Sequence, residues 1–148
     1  MRLEVFTAGM LAAAALLADA ANAAECALPP EAEAGRAVAA QCGNCHEMDA
    51  NKPSRPVAPN IHDVFGSLAA SRRDYQKYSE GMRGASDKGM TWTEDNLFDY
   101  LFDPKAFIYK VNGAPVEHSM FYVLKDEQKR RDVIAWLKAV KGKPECNL

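Results

Sequence analysis

Residues 39–48 read AAQCGNCHEM. Cys42 and Cys45 are three positions apart, and His46 follows at once. That spacing is open to three chemistries: a redox dithiol, half of a zinc site, or a covalent anchor for haem. Each makes different demands on the rest of the chain.

A tetrahedral zinc ion needs four ligands. Beyond His46 the chain has only His62 and His118, with no second C-x-x-C, so zinc is poorly supplied. A thioredoxin-like dithiol needs a strand feeding a helix that begins at the motif. Here EAEAGRAVAAQC (31–42) precedes it. That stretch is alanine-rich, free of proline and of any β-branched run, and reads as a helix leading into the cysteines. Covalent haem is the reading best supplied, and the other two stay open behind it. Two thiols near a helical turn can each add to one haem vinyl group. The next residue then offers its imidazole to the iron from the same side.

Compartment supports this chemistry. Residues 1–23 carry Arg2, an apolar stretch over 5–18 and ANA at 21–23, the pattern of an export signal cut after Ala23. The apolar stretch is short of the roughly 20 residues that span a bilayer. We therefore expect a signal peptide over 1–23, a single domain over 24–148, a periplasmic location and no stable membrane anchor. Without Arg2, Glu4 and Asp19, the 18 bases and 20 acids become 17 and 18, a net charge of −1. Nothing in that balance marks a nucleic-acid binder. Outside the cytoplasm thiols oxidise or are used. The four cysteines sort most simply into the haem motif and one disulfide between Cys26 and Cys146, at the two ends of the mature chain.

From Gly35 to Val140 the chain resembles the mitochondrial-type class I cytochromes c found in bacteria. GRAVAAQCGNCH (35–46) is similar to their first helix and haem motif. APNIHDVFG (58–66), YSEGM (78–82) and KGMTWTEDNLFDYLFDPKAFI (88–108) follow in the family's order. MFYVLKDEQKRRDVIAWLKAV (120–140) is similar to the sixth-ligand loop and last helix. Ala58 stands where the family usually has glycine. The resemblance implies an all-α, cytochrome c-like fold, with three main helices around one covalently bound haem c. It also implies that the last helix crosses the first near Gly35, so that both termini emerge close together.

Local signals agree. Thr91 and Glu94 have capping-box spacing ahead of Leu97, Tyr100 and Leu101, and Pro104 should stop that helix. Asp126 can cap the last helix, where Val133, Trp136, Leu137 and Val140 fall at i, i+3, i+4 and i+7. Gly142 is placed to end it.

The resemblance assigns roles residue by residue. Cys42 and Cys45 would carry the thioethers, and His46 would be the proximal ligand. Met120, ahead of Phe121 and Tyr122, would be the sixth. The Pro59 carbonyl would hold the other His46 nitrogen, Tyr78 and Trp92 would donate to a buried haem propionate, and the Tyr100 hydroxyl would approach the Met120 sulfur. Met82 and Met90 read as loop packing. Eleven residues separate Ile108 from Met120, a longer loop than the family's, and His118 and Ser119 replace its Thr-Lys pair. His118 is thus a rival ligand, although it reads first as an exposed loop residue. His62 reads as a surface residue without a role.

A haem with both axial positions filled has no place for substrate. Nothing resembles a nucleophile–base pair, so no enzyme is expected. The expected function is single-electron shuttling by a monomer, with an oxidase, reductase or dehydrogenase docking at the exposed haem edge. The alternative is a haem protein with a labile sixth ligand that binds or reacts with a small gas or peroxide. Lys105, Lys110 and Lys125 match or flank the family's lysine-bearing face, while Glu94, Asp95, Asp99 and Asp103 make another surface acidic.

Overall fold

The computed structural model describes residues 26–148; the expected signal peptide lies outside the described residues. Five helices follow in order: α1 (Pro30–Cys42), α2 (Glu80–Asp87), α3 (Glu94–Phe102), α4 (Pro104–Asn112) and α5 (Glu127–Val140). Among the described residues the sole β feature is an isolated bridge between Leu68 and Thr91. No described helix is long and apolar enough to cross a membrane. The all-α expectation holds. The three expected helices are α1, α3 and α5, and two further ones, α2 and α4, are added to them.

α1 starts with Pro30 at its first turn, where a missing N–H costs nothing. Glu31 and Glu33 complement the helix dipole there. α5 is capped by the Asp126 carboxylate, which accepts from Lys129 N–H at 3.0 Å. Beyond its end, Gly142 adopts φ +71°, a left-handed conformation that suits glycine. Val133, Trp136, Leu137 and Val140 are all buried, as the helical period required.

α1 and α5 pack across Gly35. A Cβ there would overlap the Asp132 carbonyl oxygen and lie 2.8 Å from Trp136 Cβ. Only hydrogen fits in that crossing. Close by, Cys26 and Cys146 form a disulfide with their Cα atoms 5.1 Å apart. The expected pairing of the two ends is present.

Two local readings need correction. Thr91 does not cap α3. Trp92 N–H donates to the Ser67 carbonyl at 2.9 Å and Gly66 N–H donates to the Trp92 carbonyl at 2.8 Å. These bonds keep the chain extended through 91–92. Thr93 caps instead, accepting from Asn96 N–H at 3.2 Å. Pro104 does stop α3, but it is also the first residue of α4, which Asp103 caps. Met82 is therefore not in a loop: it is buried within α2.

The long segment before Met120 is helix as far as Asn112 and a pinned strap beyond Gly113. α4 ends at Gly113 with φ +78°. Asn112 Nδ2 donates to the Gly81 carbonyl at 2.9 Å, and Gly81 N–H donates to the Glu117 carbonyl at 2.9 Å. A Cβ on Gly81 would fall 2.7 Å from that carbonyl oxygen and 2.6 Å from Ile108 Cγ2. α2, through Gly81, fixes where residues 116–120 run.

Candidate haem site

The motif sits at the end of α1. Gly43 N–H returns to the Ala39 carbonyl, and both Cys45 and His46 N–H groups return to the Cys42 carbonyl, at 3.1 and 2.9 Å. The turn gathers Cys42, Cys45 and His46. Both cysteines are free thiols. Burial pushes the Cys42 thiol up from its ordinary pKa, and the negative end of the α1 dipole is adjacent. A redox dithiol needs the opposite, a depressed pKa at a helix start. Among the described residues no cluster of three or more His, Cys, Asp or Glu side chains is arranged to hold a metal ion. The pair therefore lacks the partners of a zinc site.

His46 is fixed by its outer nitrogen. Nδ1 lies 2.8 Å from the Pro59 carbonyl. A carbonyl can only accept, so Nδ1 carries the hydrogen and Nε2 keeps its lone pair. Burial lowers the His46 pKa, against the Pro59 bond that raises it, and nearby Arg55 lowers it further. The neutral imidazole that results is the form that ligates metal.

A network that the sequence reading missed builds the loop carrying Pro59. Buried Asn60 donates through Nδ2 to the Asp49 carbonyl at 2.7 Å and the Lys52 carbonyl at 2.9 Å. Its Oδ1 accepts from His62 N–H at 2.9 Å. Arg55 donates to the Gly43 carbonyl at 2.6 Å, within the motif turn itself. The polar type of Asn60 directly after Pro59 was the only signal available, because its partners are backbone atoms.

His62 is not a surface residue. It is fully buried, with Nδ1 3.2 Å from Asp63 Oδ1. Asp63 Oδ1 in turn accepts Gly142 N–H at 2.8 Å. The segment after α5 covers this loop, and Asn147 Oδ1 also takes the Ala50 N–H at 2.9 Å.

On the other side, α3 supplies Tyr100 and the strap supplies Met120. The Tyr100 hydroxyl lies 3.1 Å from the Met120 sulfur. Burial pushes the pKa of that phenol far above its usual range, so it stays a donor. Tyr100 packs edge to face with Trp92 at 4.7 Å and Phe107 at 5.8 Å between ring centroids. His118 is not an exposed loop residue either. It is partly buried, with its ring 5.7 Å from the Tyr100 ring. Tyr78 packs against the same core; its hydroxyl accepts Arg72 N–H at 3.2 Å and its ring meets Tyr75.

Two bonds hold the strap down beyond Met120. Leu124 N–H donates to the Leu101 carbonyl at 2.8 Å. The Tyr122 hydroxyl reaches Gln41 Oε1, next to Cys42, at 3.0 Å. Phe121, between Met120 and Tyr122, is 94% exposed. Lys125 Nζ lies 3.8 Å from the centroid of the Phe102 ring.

The donor set fits a haem held through two thioethers. Two unpaired thiols share one turn with an imidazole whose second nitrogen is already engaged.

No family model matches the chain. Individual proteins do. Cytochrome c2 of Rhodospirillum rubrum is 38% identical over 142 residues, 95% of this chain and all of that protein. Cytochrome c2 of Cereibacter sphaeroides is 33% identical, across 88% of this chain and 96% of that one. The solved structure of cytochrome c2 from Rhodospirillum centenum superposes with a TM-score of 0.67 at 32% identity, covering 72% of this chain and 95% of that chain. That from Rhodobacter sphaeroides gives 0.66 at 31% identity, covering 72% and 92%. The chain belongs to the cytochrome c2 family of bacterial class I cytochromes c, small electron-transfer proteins with one covalently bound haem c.

Proposed function

We propose that this protein is a diffusible periplasmic electron shuttle. Cys42 and Cys45 would hold the haem, and His46 and Met120 would ligate its iron. Residues 1–23 direct export and are removed, which leaves a monomer of residues 24–148. The single observation that carries this reading is the turn at 42–46, where two free thiols accompany an imidazole pinned through Nδ1 to Pro59.

When bound, the haem supplies a one-electron couple. The chain's own residues do the rest. Pro59 fixes the His46 ring and raises its basicity as a ligand. Met120 offers a weak thioether donor, which favours the reduced metal. Tyr78 and Trp92 are the donors for a haem carboxylate, whose charge would be costly if buried unpaired. With His46 and Met120 both ligating, the metal would offer no open place for substrate, so the protein carries electrons and does not act as an enzyme.

Partners are redox proteins, an oxidase, reductase or dehydrogenase, that dock at the exposed haem edge. The exposed Phe121, Tyr122 and Val123 beside Met120 support a docking face there, with Lys125 at its rim. A net charge near zero implies weaker long-range steering than a strongly basic carrier would have.

The test is periplasmic protein from cells that possess haem-attachment machinery. Acid–acetone should leave the haem on the protein, and mass analysis should find a chain starting at Ala24 plus one haem. Cys42→Ala with Cys45→Ala should abolish the covalent link. Colourless, zinc-loaded wild-type protein would refute the reading.

A further inference from the structure

His118 stands where the family resemblance implied a threonine, and it meets the site at Tyr100. Its Nε2 lies 3.3 Å from the Tyr100 hydroxyl oxygen. The same oxygen lies 3.1 Å from the Met120 sulfur. The other ring nitrogen, Nδ1, is buried and has no hydrogen-bond partner among the described residues.

Counting hydrogens limits the arrangements. The hydroxyl has one hydrogen, and a thioether sulfur has none and can only accept. If the hydroxyl hydrogen points to sulfur, Nε2 must carry a hydrogen and donate to the oxygen. Otherwise two lone pairs would face each other at 3.3 Å. The unpartnered Nδ1 is then the bare nitrogen. In the opposite arrangement the hydroxyl donates to Nε2, and the sulfur receives nothing. The first arrangement places the proton at the shorter of the two contacts. It also forms a relay, N–H to O–H to S, in which each bond polarises the next.

We infer that His118, as a neutral imidazole with its hydrogen on Nε2, is a positioning residue that holds the Tyr100 hydroxyl proton on the Met120 sulfur and so raises the reduction potential. The inference rests on the proposal that Met120 is the sixth ligand. A sulfur engaged by a hydrogen bond donates less electron density to the metal. The oxidised metal depends more on that donation, so the reduced state gains and the potential rises. His118 acts only through Tyr100.

The sign of the shift separates the two arrangements. Losing His118 from the relay weakens the bond to sulfur and lowers the potential. Losing it from the opposite arrangement frees the hydroxyl proton for sulfur and raises the potential.

The experiment uses the mature haem-loaded protein and its His118→Leu, His118→Gln, Tyr100→Phe and His118→Leu/Tyr100→Phe variants. Potentials come from spectroelectrochemical titration, and the weak red band of methionine–iron(III) ligation is recorded for each. We expect His118→Leu to keep the band and shift to lower potential. His118→Gln, which retains an N–H donor, should recover most of the shift. In the Tyr100→Phe background His118→Leu should be silent, an outcome that a merely structural role would not produce. An unchanged or raised potential in His118→Leu with the band intact overturns the inference and leaves Met120 ligation standing. Loss of the band in His118→Leu also overturns it, since His118 would then be needed for ligation itself. Survival of the band in Met120→Ala would instead defeat the ligand assignment on which the inference rests.

Discussion

His46 and Met120 are secured in different ways, and both ways depend on single atoms. The His46 ring is held by one backbone carbonyl, at 2.8 Å. Met120 has one side-chain donor, Tyr100 at 3.1 Å, and a strap that is bonded on either side of it. The proposed ligation predicts that Met120→Ala loses the red methionine–iron(III) band and opens the metal to cyanide or imidazole. His118→Ala should keep the band and stay closed. Optical titration with cyanide reads both. At this scale the sequence was uneven. The adjacent His46 and the apolar pair after Met120 were legible because the motif is local. The burial of His62 and the contact of His118 with Tyr100 were not, because they arise between groups that are not neighbours along the chain.

Gly35 decides the geometry of the α1–α5 pair. Its missing side chain lets the Asp132 carbonyl and Trp136 approach α1, with backbone rather than a flexible side chain in the way. A methyl group there cannot be accommodated by rotating a neighbour. Gly35→Ala should therefore destabilise the folded protein by about 3 kcal/mol, the upper end for overpacking, even though alanine is the better helix former. A lower midpoint in urea at unchanged helicity checks it. Gly81 does the same for α2 and the strap, against Ile108 and the Glu117 carbonyl. The helical period identified α5 and its buried face correctly. It did not identify α4, because Pro104 reads as a terminator and only the Asp103 cap shows that a second helix begins on the same residue.

Across the whole molecule, the two chain ends are tied to each other and to the loop behind His46. The disulfide closes a separation of 120 residues. In the chain-entropy view such a loop is worth up to about 4–5 kcal/mol, and engineered cases deliver less. A covalent haem already restrains the unfolded chain, so Cys26→Ser with Cys146→Ser should cost about 2 kcal/mol. Urea unfolding measures that loss, and the red band and potential should stay unchanged. The link to the loop predicts a response to acid. Burial pushes the Asp63 carboxyl up, but the Gly142 N–H and the His62 ring outweigh it and hold its pKa below the ordinary carboxylate value. A depressed folded pKa gives stability that is complete above the unfolded value and lost as pH falls through the folded one. The urea midpoint should therefore drop more steeply below pH about 4 in the wild type than in Asp63→Asn, which keeps an acceptor without the charge.

The sequence alone gathered Cys42, Cys45 and His46 into one motif, and it determined the three main helices and the pairing of Cys26 with Cys146. Each follows from spacing along the chain or, for the disulfide, from compartment and parsimony. Only the tertiary structure decided that Thr93 rather than Thr91 caps α3, that α2 and α4 pin the strap before Met120, that His62 is buried, and that the segment after α5 is bonded to Asp63 beside it. It also decided that His118 meets the Tyr100 hydroxyl. Helical periods and caps arise between residues one to four apart, so they are written in the local sequence. A cap displaced by a distant β-bridge, or an aspartate bonded to the far end of the chain, arises from contacts that exist only once the helices have packed.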